Sequence, residues 1–344
     1  MSVAAGGALL LALALSWWGT GRVRQFAVAR ALLDVPSERS SHTTPTPRGG
    51  GLAIAVVVLV GVLGGAMAGW VSWQVAAALI PSGAAMALLG WIDDRRNLSA
   101  GLRLLIHFMA ASCVVYWFGP VRALSIGTTS VALGWLATPL SILGIVWLVN
   151  LFNFMDGIDG VAAAEALMVS AAAAFFCWRV GEVEVAWLAA LIAVASAGFL
   201  PWNWMPARIF MGDAGSIFLG FMLGSLALLA DRRGALPAIA WIVLLGVFVG
   251  DATLTLIRRV ARRERLAEAH RTHAYQRAVQ SGWSHARVSG AVMILNVTLA
   301  ALVWGALAHP AWALAAYGLA VGFAVAAYLV VEVRASRFGR SRTL

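Results

Sequence analysis

The chain has 344 residues, 61% of them apolar and only 12% charged, with a formal charge of +10. A soluble domain carries about 25% charged residues. This composition, with a mean hydropathy of +0.85, excludes a soluble α protein and points to a chain that crosses a membrane many times.

Taken in chain order, eleven apolar runs approach the roughly 20 residues that a span needs. They lie at 3–20, 50–70, 72–92, 103–119, 130–149, 161–179, 184–204, 213–230, 236–257, 289–308 and 311–332. Tight gaps at Gly69 to Trp73 and at His309–Pro310 allow a count of ten. No basic residue precedes the first run, and Arg22 and Arg24 follow it. That is the reverse of a cleaved signal peptide, so the run reads as a spanning helix with its N-terminus outside. Alternate gaps then face the cytoplasm, and 21 of the 25 basic residues fall in or at the edge of those gaps. The bias is that of cytoplasmic loops beside anionic lipid, and no nucleic-acid partner is expected. The expected fold is an all-α polytopic membrane protein of about 11 (10–11) transmembrane helices. It is a single integral membrane domain over 1–344, with its motifs in about 35–285 and its active site at the cytoplasmic face.

All 25 basic residues are arginine, which removes a Schiff-base lysine and a P-loop motif. Cys113 and Cys177 sit inside apolar runs without metal or disulfide spacing and read as small core residues. Residues 40–51 carry hydroxyls, two prolines and three glycines, so they cannot form regular helix.

Asp93 and Asp94 end the third run. A carboxylate within a span costs about 2.5–3.5 kcal/mol on insertion scales. An adjacent pair therefore needs water, a cation or a reaction; the bland alternative is a solvated helix end, since Arg95 and Arg96 follow. Asn150, Asn153, Asp156 and Asp159 are spaced by three. On a helix they form one stripe of hard oxygen donors, suited to Mg2+. Gly157 and Gly160 let another group approach the backbone. Asp213, in FMGDAGS, opens the eighth run. It reads as a helix N-cap or as part of a phosphate site at a helix N-terminus. Asp251 lies inside the ninth run, either in register to pair with Arg258 as a structural ion pair or as an active-site carboxylate. His270, Arg271 and His273, followed by Tyr275 and Arg277, favour a phosphate-binding loop over a metal pair. His107, His285 and His309 stand alone and carry no assigned role.

Together these motifs resemble the polyprenyl-phosphate N-acetylhexosamine-1-phosphate transferases, of the glycosyltransferase family 4 type. The features that carry the resemblance are Asp93-Asp94 after a span, NxxNxxDGIDG over 150–160, FMGDxGS over 210–216 and the late histidine loop. His270-Arg271-Thr272-His273 with Tyr275-Gln276-Arg277 is most similar to the O-antigen-initiating branch and departs from the three-histidine run of the peptidoglycan branch. The resemblance implies transfer of an N-acetyl sugar-1-phosphate from a UDP-sugar to undecaprenyl phosphate in the bacterial inner membrane. The products are undecaprenyl-diphospho-sugar and UMP.

The resemblance also implies Mg2+, with Mn2+ as the alternative, held by Asp213 with Asn153 as a second contact. It implies a nucleotide and diphosphate subsite of Asn150, Asp159, His270, Arg271 and His273, with Asp159 near the uracil. Asp93, Asp94 and Asp156 are then the catalytic carboxylates, the first two serving the attacking lipid phosphate. The partners are the UDP-N-acetyl sugar, undecaprenyl phosphate and the lipid bilayer, with a homodimer as a candidate assembly. A phosphate monoester, with a second pKa of about 6, is largely dianionic at pH 7. Direct in-line attack is therefore favoured, and a two-step route through an aspartyl intermediate is the alternative. Three readings compete with this one. The first is the same chemistry in a teichoic acid, common-antigen or peptidoglycan pathway. The second is a secondary transporter with intramembrane carboxylates near the midplane and an inverted repeat. The third is a non-catalytic scaffold, which needs no Asn–Asp stripe.

Overall fold

The structure is a computed structural model that describes residues 2–36, 44–264 and 271–340. In chain order its helices are α1 (Val3–Ala29), α2 (Gly51–Met67), α3 (Trp73–Arg96), α4 (Ala100–Phe118), α5 (Ala137–Met155), α6 (Val161–Arg179) and α7 (Val183–Asn203). They continue as α8 (Asp213–Arg232), α9 (Ala238–Leu244), α10 (Gly246–Ala261), α11 (Ala274–Gln280), α12 (His285–Ala308) and α13 (Ala313–Arg340). Two short antiparallel pairs complete it: β1 (Leu33–Asp34) with β2 (Thr46–Pro47), and β3 (Ala123–Ile126) with β4 (Thr129–Ala132). The chain is an all-α polytopic membrane protein. Serine fixes several helix starts. The side chains of Ser2, Ser72, Ser99 and Ser284 each accept a backbone N–H from the first turn of α1, α3, α4 and α12, the favoured N-cap chemistry.

Every expected apolar run contains helix, but three depart from expectation. Among the described residues nine helices are long and apolar enough to span, and α9 with α10 makes a tenth if that pair is one span. α2, at 17 residues, is shorter. The ninth run is not straight, because α9 and α10 meet at 81°. Glu165 of α6 lies against the break. Its carboxylate is buried, accepts from Asn296 Nδ2 of α12 at 2.6 Å, and lies beside the Phe248 N–H. Phe248 is in the first turn of α10, where N–H groups lack an intrahelical partner. The fifth run begins later than residue 130. Residues 123–132 form the β3–β4 hairpin around Gly127, with Thr129 and Val131 suited to strand, and α5 starts at Ala137.

α8 is the axis of the bundle. It is wrapped by α2, α3, α4, α5, α6, α7 and α9, and 94% of its spanning window is buried. Phe218 and Phe221 on it are fully buried. Lipid is as apolar as leucine, so close packing rather than hydrophobic exclusion holds such helices together. α6 and α7 pack closely against each other, and both bury small residues accordingly, among them Ala162, Ala163, Ala166, Ala186 and Ala189. α1 and α13 lie outermost, with Leu10, Leu11, Leu329 and Val330 exposed. This arrangement gathers the ends of α3 and α5 and the starts of α8 and α12 around one opening.

Candidate active site

One cavity of about 270 Å³ is lined by Asp94, Asn153, Asp156, Asp159 and Asp213. Asp34, Arg48, Asn203, Phe210, Gln276 and His285 share its wall. Five of the ten residues expected to act thus meet, although they come from three distant motifs.

α3 delivers Asp94 to the start of α8. Its Oδ1 accepts the Asp213 N–H at 3.1 Å and its Oδ2 the Ala214 N–H at 3.3 Å. α8 has no side-chain cap of its own, since Gly212 occupies the N-cap position. Gly212 has φ +73°, and a side chain there would meet Asp94 Oδ2 at 2.7 Å. Only glycine leaves that carboxylate its place. The cap is therefore Asp94 rather than Asp213, which is the first residue of α8 and faces the cavity. Arg48 donates to the Asp94 carbonyl. Asp93 does not line the cavity. It accepts the Leu98 N–H at 2.6 Å, pairs with Arg103 at 2.8 Å, and lies beside Asp213.

The four-residue stripe of 150–159 divides, because α5 ends at Met155. Asn150 turns back to the Val146 carbonyl at 2.7 Å and does not reach the cavity. Asn153 accepts from Ser216 Oγ at 2.8 Å. Asp156 and Asp159 lie beyond the helix, so they are not on its stripe. Asp156 has no hydrogen-bond partner among the described residues. Withdrawal from solvent, and then the charges of Asp94 and Asp159, push its carboxyl up to about 7. Asp159 is held on two sides. Oδ2 accepts the Ala207 N–H at 3.0 Å, and Oδ1 lies 3.2 Å from His285 Nδ1.

The late loop contributes differently from expectation. His270 lies outside the described residues, and Arg271 and His273 do not line the cavity. His273 is buried, with Nδ1 3.2 Å from Asp251 Oδ1. Asp251 also accepts the N–H groups of Ala274 at 2.8 Å and Tyr275 at 3.0 Å. It therefore caps α11 and does not pair with Arg258, which bonds Glu332 and the Thr272 carbonyl. The free N–H groups of α11 converge on one carboxylate, a geometry that a single guanidinium two turns away cannot match. Through α11 the loop sends Gln276 to the cavity wall, while Tyr275, which does not line the cavity, packs against Gly157. The Tyr275 hydroxyl donates to the Phe154 carbonyl at 3.0 Å, in the space that a side chain at Gly157 would fill.

Among the described residues no three His, Cys, Asp or Glu side chains form a closed metal cage. Mg2+ does not need one: it commonly takes one or two carboxylates and completes its shell with water and substrate phosphate. Asp156 and Asp213, with the Asn153 amide, are hard oxygen donors in a cavity with an excess of negative charge. The donor set fits such an ion shared with a diphosphate.

Residues 76–231 match the family described as Glycosyl transferase family 4. A probable undecaprenyl-phosphate N-acetylglucosaminyl 1-phosphate transferase of Bacillus subtilis is 33% identical over 278 residues, 79% of this chain and 76% of the relative. A decaprenyl-phosphate N-acetylglucosaminephosphotransferase of Mycobacterium tuberculosis is 31% identical over 327 residues, 86% of this chain and 80% of the relative. A phospho-N-acetylmuramoyl-pentapeptide-transferase of Halalkalibacterium halodurans is 30% identical over 289 residues, 77% of this chain and 85% of the relative. The matched region carries Asp94, the 150–160 motif and Asp213, the side chains that the fold brings to one cavity. This chain belongs to glycosyl transferase family 4, the polyprenyl-phosphate sugar-1-phosphate transferases.

Proposed function

We propose that the protein transfers an N-acetylhexosamine 1-phosphate from a UDP-sugar to undecaprenyl phosphate at the cytoplasmic face of a bacterial inner membrane. UMP leaves, and the lipid-linked sugar starts an envelope polysaccharide such as O-antigen. Two of the relatives are named for N-acetylglucosamine, which supports that sugar as the first donor to try. The observation that carries the reading is the cavity itself. Its carboxylates stand at helix termini rather than midway along spans, where a transporter would place them.

The acceptor's phosphate oxygen forms a bond to the β-phosphorus of the UDP-sugar. The bond from that phosphorus to the UMP oxygen breaks, and UMP takes the electron pair. A dianionic nucleophile has no proton to lose, so the protein's task is positioning and charge neutralisation. Asp156, Asp213 and Asn153 would hold a divalent cation, Mg2+ in first place, which supplies neutralisation of the diphosphate when bound. Arg48 offers a fixed positive charge and a planar pair of donors for phosphate. Asp159 and His285, with Gln276, form the part of the wall assigned to the nucleoside. A cavity of about 270 Å³ lies just below the usual range for small-ligand pockets. It takes the reacting diphosphate and leaves the polyprenyl chain in lipid.

Purified protein is expected to release UMP only when a UDP-N-acetyl sugar, polyprenyl phosphate and Mg2+ are all present. Silence with every UDP-N-acetyl sugar would remove the enzyme reading. Asp213→Asn should keep expression and lose most turnover, and full activity in that variant would move the cation elsewhere. Exchange of labelled UMP into UDP-sugar without lipid would replace direct attack by an aspartyl intermediate.

A further inference from the structure

Away from the cavity, three arginines and a tryptophan gather where α12 begins and α13 ends. The Arg287 guanidinium lies 4.4 Å and that of Arg334 5.5 Å from the centroid of the Trp283 ring. Arg334 also donates to the Ser281 carbonyl at 3.3 Å, which holds it over the turn before α12. Arg334, Arg337 and Trp283 line a surface groove of about 750 Å³, with Leu329, Val330, Val333 and Phe338 as its apolar wall. Among the described residues no carboxylate lines this groove. Glu332, next to Val333 in sequence, is committed to Arg258 and Arg277.

Two guanidinium groups drawn to one indole repel each other, and nothing in the groove offsets their charge. An anion placed among them removes the repulsion and takes paired hydrogen bonds from the planar forks. The apolar wall adds a second requirement. Leu329 is 53% and Val330 59% exposed, so half of each side chain faces outward beside the arginines. A free phosphate would leave that wall uncovered, and an acidic peptide would set polar backbone against it. A negative head on a hydrocarbon body satisfies both. Basic pockets at the ends of spanning helices suit anionic lipid head groups, and tryptophan sits at the same depth.

We propose that this groove binds an anionic glycerophospholipid of the surrounding bilayer. Its phosphate meets Arg334 and Arg337, with Arg287 beside Trp283 at the groove's edge, and its acyl chains run along α13. The groove shares no lining residue with the catalytic cavity, so the occupant is bulk lipid rather than the acceptor. The position has a structural consequence. His285, between Trp283 and Arg287, lines the cavity and touches Asp159. A lipid held at the groove therefore steadies the helix start that carries a cavity residue.

The test uses the full chain in mixed micelles of phosphatidylglycerol and phosphatidylcholine at equal concentration, with retained lipid counted by native mass spectrometry. Wild type is expected to keep phosphatidylglycerol in preference. Arg334→Gln with Arg337→Gln should weaken that retention about thirtyfold. Arg334→Lys with Arg337→Lys keeps the charge and should retain most of it, and Arg287→Gln gives a second reading if the double glutamine variant does not fold. Equal retention of the two lipids by wild type overturns the proposal, as does an undiminished preference in the glutamine variant. Displacement by stoichiometric undecaprenyl phosphate would assign the groove to the acceptor and also overturn it. The readout is bound lipid, not UMP, so failure here leaves the transferase reading standing.

Discussion

Arg48 shares its cavity with Asp34, Asp94, Asp156, Asp159 and Asp213, and among the described residues no other guanidinium lines that space. Its anchor on the Asp94 carbonyl fixes where the positive charge sits. Arg48→Gln is expected to lower kcat/KM by about 10²–10³, the usual cost of losing one preorganised donor to a developing charge. Arg48→Lys should recover only part, because an ammonium lacks the planar fork. His285 predicts a different signature. His285→Ala frees one side of Asp159 and should raise KM for the UDP-sugar while kcat holds, measured as UMP release over a range of donor. Neither residue was legible as functional in the sequence. Arg48 lies 46 positions from Asp94, and His285 lies 126 from Asp159, so local spacing carries no sign of either contact. The aspartates were legible because each stands out against an apolar run.

At the level of elements, one device recurs: a carboxylate on one helix serves the free N–H groups of another. Asp94 of α3 caps α8, and Asp251 of α10 caps α11. The second cap reaches the site, since Asp251 on α10 holds α11, which carries Gln276 to the cavity wall. Asp251→Ala removes two buried backbone bonds and should cost about 1–3 kcal/mol. Expected readings are a lower Tm in detergent and a higher KM for the UDP-sugar, whereas Asp251→Asn keeps an acceptor and should be milder. An unchanged KM in Asp251→Ala would separate α11 from substrate binding. The runs of apolar residues gave away the helices, since length and polarity are local. The break between α9 and α10 was hidden because the polar pair beside it, Glu165 and Asn296, lies on other helices. The β3–β4 hairpin was hidden because its residues are apolar enough to extend the run that follows.

For the whole molecule, the arginine bias assigns a side to every loop. A single cysteine placed at Ser130 in the hairpin should react with an impermeant maleimide in intact cells. One placed at Gly282 should react only after the membrane is opened, and the reverse pattern would invert the topology and move the cavity away from cytoplasmic nucleotide. Composition shows that the chain spans but not which helix lies inside. α8 and α13 are both apolar all round, yet one is enclosed and the other meets lipid. Of the seven helices packed on α8, α2 to α7 precede it in the chain and only α9 follows. During synthesis most of the wall therefore emerges first, and the pillar must enter a ring still open to receive it. Asp213 rides in on that pillar, so the proposed cation site stays incomplete until the central helix has slotted home.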